Sequence, residues 1–143
     1  MAIHRSCRVA AVSLLVAGLA APAAFAQQAC VARIEGGQTV ESARHALAYR
    51  TDPQKVAVGK PFAVDLIVCP RDAGAKIEEL RVDAHMPEHR HGMNYKASVK
   101  PRAEPGRYRA EGLMMHMPGK WELLFDVRDA QGMDRMKHEY PLR

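Results

Sequence analysis

The sequence predicts an antiparallel β-sandwich of immunoglobulin-like kind with about seven strands. Apolar and polar residues alternate with period two over many short stretches, and glycine and proline punctuate those stretches. No stretch sustains the 3.6-residue period of a long helix. Chains patterned in this way bury their apolar faces by packing one antiparallel sheet on another.

The elements follow in order. Residues 1–26 read as an export signal: His4, Arg5 and Arg8 form a basic start, an apolar run from 9 to 21 is broken only by Ser13 and Gly18, and Ala24-Phe25-Ala26 is a cleavage signal. The competing reading is an uncleaved anchor, since 9–26 approaches the length that spans a bilayer, but Pro22 and the small residues favour cleavage after Ala26. Cys30 follows Gln27-Gln28-Ala29 and lacks the Leu-containing box of a lipoprotein. Loss of the leader removes Arg5 and Arg8 and no acid, so the formal charge of +5 falls by two. The remaining basic residues are interleaved with acids, which describes a solvated mixed surface and excludes nucleic acid as a partner.

Residues 27–42 are an N-terminal segment without strong alternation, and 43–143 form the sandwich domain. Export leaves Cys30 and Cys69 as an even pair in an oxidising compartment, read as a disulfide that stabilises the fold by about 4 kcal/mol on the chain-entropy model. The rival reading keeps both as reduced thiolates ligating a metal.

Strands are expected at 43–50, 62–69, 80–85, 93–99, 107–117, 120–127 and 135–142. In 62–69 the set Phe62, Val64, Leu66 and Val68 shares one face, and Cys69 falls on the other, so its disulfide ties the N-terminal segment to the outside of the sheet. In 80–85, Leu80, Val82 and Ala84 alternate with Arg81, Asp83 and His85, which puts His85 on the polar face. Turn signals stand at Thr51-Asp52-Pro53, Val58-Gly59-Lys60-Pro61, Glu104-Pro105-Gly106 and Met117-Pro118-Gly119-Lys120. If the last closes a two-residue hairpin, His116 faces Trp121, Met114 faces Leu123, Gly112 faces Phe125 and Ala110 faces Val127. All then share the core face, unless a bulge shifts the register by one residue.

The chemistry concentrates in two runs, His85-Met86-Pro87-Glu88-His89-Arg90-His91-Gly92-Met93 and Met114-Met115-His116-Met117. Imidazole is the commonest protein metal ligand, and thioether is a soft donor suited to Cu(I), so the mixture points to copper, as Cu(I) or Cu(II). His89, His91 and Met93 alternate, so an extended backbone presents them on one side, while Pro87 and Gly92 make the segment a loop or strand edge. His85, Met86, His116 and Met117 are possible additional ligands. Against this stands the plainer alternative of solvated loop histidines, core methionines, and a His116 that merely packs on Trp121. Ser42 and Ser98 lack a nucleophile-elbow setting, and there is no phosphate loop, Cys-x-x-Cys or His-Glu-x-x-His, so no enzyme is expected.

Residues 44–129 resemble the YtkA-like family of small exported bacterial domains, related in character to FixH. The resemblance rests on Val58-Gly59-Lys60-Pro61-Phe62, Met86-Pro87-x-His89-x-His91-Gly92-Met93, Pro105-Gly106-Arg107-Tyr108 and His116-Met117-Pro118-Gly119-Lys120-Trp121-Glu122-Leu123. It implies an immunoglobulin-like sandwich and, for some members, copper handling or cytochrome oxidase maturation. Periplasmic copper chaperones with His and Met ligands share the donor types, but the adjacent His116 and Met117 depart from their spacing. The expected function is therefore an exported, periplasmic or cell-envelope copper-binding protein that buffers the metal or delivers it to a membrane cuproenzyme or copper exporter. The alternatives are an envelope module that recognises a protein partner without metal and an accessory domain of a membrane enzyme.

Overall fold

The computed structural model describes residues 30–143; the expected leader and its cleavage site lie outside these residues. Nine strands form two antiparallel sheets. They are β1 (Gln38–Glu41), β2 (His45–Asp52), β3 (Pro61–Pro70), β4 (Glu79–Met86), β5 (His91–Gly92), β6 (Ser98–Pro101), β7 (Arg107–Met114), β8 (Gly119–Asp129) and β9 (Gly132–Leu142). One sheet runs β1-β2-β3-β7-β6 and the other β5-β4-β8-β9. Leaving β1 and the two-residue β5 aside, the order β2-β3-β7-β6 against β4-β8-β9 is the A-B-E-D against C-F-G arrangement of an immunoglobulin-like sandwich. The expected fold class is thus the observed one. No helix among the described residues is long and apolar enough to cross a membrane.

The core lies between the sheets, where the period-two pattern sends it. Phe62, Val64, Leu66 and Val68 of β3 face Leu80, Val82, Ala84 and Met86 of β4, with Trp121, Leu123, Phe125 and Val127 of β8 fully buried among them. Cys69 points to the outer face of β3, as its parity requires, and stands at disulfide distance from Cys30 with Cα atoms 5.5 Å apart. The N-terminal segment is therefore fastened across the outside of the larger sheet.

Three expectations need correction. The segment 27–42 contributes a strand, β1, which extends the larger sheet beside β2. The strand expected at 93–99 begins only at Ser98, because β5 ends at Gly92 and the intervening residues cross from one sheet to the other. The Pro118-Gly119 hairpin does not exist: β7 pairs with β3 and β6, whereas β8 pairs with β4 and β9. Alternation fixes which face of a strand is apolar, and two strands on opposite sheets satisfy it as well as two neighbours do.

The register within β7 also departs from strict alternation. Phe62 pairs with Leu113 but Val64 with Ala110, so Glu111 and Gly112 together oppose Ala63 in a bulge with Gly112 at φ 85°. The extra residue inverts the parity beyond it. Leu113 and Met115 are fully buried, Met114 is only half-buried, and His116 turns outward.

At the end of the sandwich formed by the β1–β2 and β8–β9 turns, polar side chains join the sheets. His45 of β2 has no solvent exposure, and its Nδ1 lies 2.6 Å from Asp134 Oδ2, which also accepts from Ser42 Oγ at 2.6 Å. Its Nε2 is 3.5 Å from Asp129 Oδ2, near enough for an ion pair but without hydrogen-bond alignment. Arg44 donates to Asp129 Oδ1 at 2.7 Å. Burial pulls the Asp134 carboxyl upward, but the bonds from His45 and Ser42 and the charges of His45 and Arg44 outweigh it and hold the group below its ordinary value.

Two outcomes follow from this architecture. Reduction should lower the unfolding free energy of the protein by about 4 kcal/mol, read as the shift between urea transitions with and without dithiothreitol. A depressed folded-state pKa contributes stability above the unfolded value of about 3.9 and loses it as pH falls through the folded value. Asp134→Asn should therefore lower stability at pH 7 and flatten the decline of the melting temperature below about pH 4.

Candidate functional site

The opposite pole carries the two His/Met runs, and each is shaped by its backbone. After β4, Pro87 opens a single 3-10 turn over Pro87–His89, and its fixed φ suits the first helical position. Arg90 takes a left-handed conformation at φ 54° and donates its N–H to Pro87 O, reversing the chain. His91 then pairs with Met86 and Gly92 with His85. A Cβ at Gly92 would stand 3.3 Å from the Ala84 carbonyl, so glycine lets β5 lie this close to β4. The N–H of Met93 closes the hairpin on Ala84 O at 3.1 Å.

Directly paired residues project from the same face of a sheet. His91 therefore shares the core-facing side with buried Met86, and His85 points the other way. There His85 Nε2 meets Glu122 Oε2 at 2.8 Å, with Lys137 Nζ at 3.3 Å from the same oxygen. The bond from His85, followed by that from Lys137, overcomes desolvation and lowers the Glu122 carboxyl from its ordinary value. His85 thus belongs to a surface ion-pair cluster apart from the other imidazoles.

The second run is the crossing from β7 to β8. Met115 is buried, and its carbonyl accepts from Gly59 N–H at 2.8 Å; the Met117 carbonyl accepts from Trp121 Nε1 at 3.0 Å. Held on both sides, the segment presents His116 outward between its anchors. His91 and His116 have ring centroids 5.0 Å apart, and His89 follows His91 at 5.9 Å. The buried indole of Trp121 meets His116 at 5.5 Å and His91 at 5.9 Å, both edge-on. Imidazoles sharing one ion through bonds of about 2 Å have centroids about 5–6 Å apart, so the spacing suits a shared ligand.

The structure therefore places His91 between His89 and His116, the last reached only after a full excursion of the chain through the other sheet. Met93, two residues after His91, and Met117, adjacent to His116, are half-buried against the core, and Met86 is wholly inside it. Among the described residues no group of three or more His, Cys, Asp or Glu side chains is placed so that it could hold a metal ion. A ligand set here would consist of two imidazoles completed by thioether. Cys30 and Cys69, joined to each other at the far pole, take no part in it.

Sequence reasoning missed the buried cluster of His45, Asp129 and Asp134, and the bond between Tyr49 Oη and His138 Nδ1 at 2.7 Å. The latter lies at a cavity of about 400 Å³ between β2 and β9, and burial raises the Tyr49 hydroxyl above its usual range. Neither carries a local motif, because the partners come from different sheets.

Comparison with family models, with curated proteins and with solved structures finds no match for this chain.

The separation of His85 from the trio is directly measurable. His85→Ala should move the Glu122 carboxyl back towards its ordinary value in an NMR pH titration, while the ring protons of His91 and His116 beside Trp121 keep their shifts.

Proposed function

We propose that this is an exported copper-binding protein of the periplasm or cell envelope that buffers copper or hands it on without turnover. The observation that carries the reading is the meeting of His91 from one loop with His116 from another over a buried indole, with His89 flanking His91 and with Met93 and Met117 in the same two segments, partly buried against the core. Imidazole with thioether is a borderline-to-soft donor set, matched to Cu(I) and tolerant of Cu(II). The A-x-A leader and the paired cysteines support an oxidising, exported setting. The motif resemblance to YtkA-like domains agrees with this reading and is part of the proposal. A membrane cuproenzyme or copper exporter is the partner such a role requires.

Trp121 is the only tryptophan, and the imidazoles rest against it, so it reports on the site. Mature protein titrated with Cu(I) under anaerobic conditions, or with Cu(II), should bind one ion with sub-micromolar affinity and lose Trp121 fluorescence. His91→Ala with His116→Ala should weaken binding by more than the roughly tenfold that loss of a ligand's outer-shell partner alone costs. If wild-type protein takes up neither ion, the metal reading falls and the His/Met loop is a protein-recognition element.

A further inference from the structure

We infer that the pole bearing the imidazole trio is a docking face for an acidic protein surface. The loops and strand ends there carry Lys55, Lys60, Arg90, Lys96 and Lys120, all exposed, against Glu88 in the loops and Asp52 at the end of β2, whose charge Arg109 takes up. Among the described residues none of these five cations forms an ion pair. The arginines on the sheet faces and at the far pole are mostly engaged, as in Arg71 with Glu41, Arg109 with Asp52 and Asp65, and Arg135 with Asp126. The loops of the far pole are mixed, with Arg71 beside Asp72, Lys76 near Glu78 and Arg102 near Glu104. Uncompensated positive charge is thus gathered around the candidate site.

This distribution has a direct electrostatic consequence. A site built to scavenge a free cation is served by an acidic rim that concentrates the ion, whereas a cationic rim repels it. The same rim attracts and orients an acidic partner and accelerates encounter. Cargo entering or leaving His89, His91 and His116 therefore moves within a complex whose interface surrounds the site. Tyr95, 54% exposed, and Val58 lie in the same loops and are two of the few large apolar side chains left in solvent. Tyrosine and arginine are the residue types that concentrate binding energy in protein interfaces.

The identity of the cargo rests on the copper reading; the docking does not, and the test keeps them apart. Metal-free mature protein, labelled with ¹⁵N, is titrated with polyglutamate at low and at physiological ionic strength. Amide shifts are expected in 53–60, 87–97 and 114–120, with affinity falling as salt rises. The triple variant Lys60→Glu, Arg90→Glu, Lys120→Glu should bind at least tenfold more weakly, and Lys76→Glu, Lys100→Glu, Arg102→Glu, of equal net charge, within about twofold of wild type. Unchanged near-ultraviolet dichroism keeps folding separate from binding. Equal losses in both triples would reduce the effect to net charge and overturn the proposal. Phosphatidylglycerol vesicles that bind through the same amides more tightly than polyglutamate would overturn it in favour of a lipid surface. If docking persists while wild-type protein ignores copper, only the copper reading is lost.

Discussion

Burial of Trp121 between the two sheets is the constraint on which the functional pole depends. The indole has no solvent exposure, and its Nε1 must find an acceptor inside the protein; it finds the Met117 carbonyl. That bond holds the crossing from β7 to β8 against the start of β8 and so sets where His116 stands. The same indole supports His91 on its other approach, arriving from the β4–β5 hairpin. Two loops that share no sequence neighbourhood are thereby referred to one rigid aromatic surface. Truncating a residue so buried costs about 3–5 kcal/mol in typical cores, so the site inherits its rigidity from the most expensive part of the fold.

The two ends of the sandwich solve opposite problems. At the His45 end, buried polar groups from both sheets satisfy one another through Ser42, Arg44, Asp129 and Asp134, and the surrounding loop charges are mixed. Such a network specifies how the sheets meet and leaves little chemistry exposed. At the other end the core is closed by apolar and thioether side chains, Met86 and Met115 among them, and the loop cations Lys55, Lys60, Arg90, Lys96 and Lys120 are exposed and form no ion pair among the described residues. A fold stapled at one pole can keep the other chemically open.

The legible part of the protein is what alternation and turn chemistry encode. The seven expected strands correspond to observed ones, with the greatest displacement at 93–99, and β3, β4 and β8 bury the faces their patterns named. The outward position of His85, the outer-face position of Cys69 and the contact of His116 with Trp121 were all readable. The contact was reached through a hairpin that does not form, because a tight turn and a crossing loop both bring residues 116 and 121 near each other. Gly112 was the unread signal: a glycine inside an alternating strand marks a bulge, and this one decides that Met115 and not Met114 enters the core.

What the sequence determined by itself was the fold class, the inward faces and the stock of soft and borderline donors, since these follow from local periodicity and composition. Tertiary structure alone decided which donors meet. Strand parity, legible in the sequence, already sends His85 to the far face of its sheet, but only the closing of one sheet on the other brings the ring of His116, more than twenty residues on, to 5.0 Å from that of His91. Convergence across two sheets depends on pairing partners and on one bulge, and neither is written in the spacing of the residues that converge.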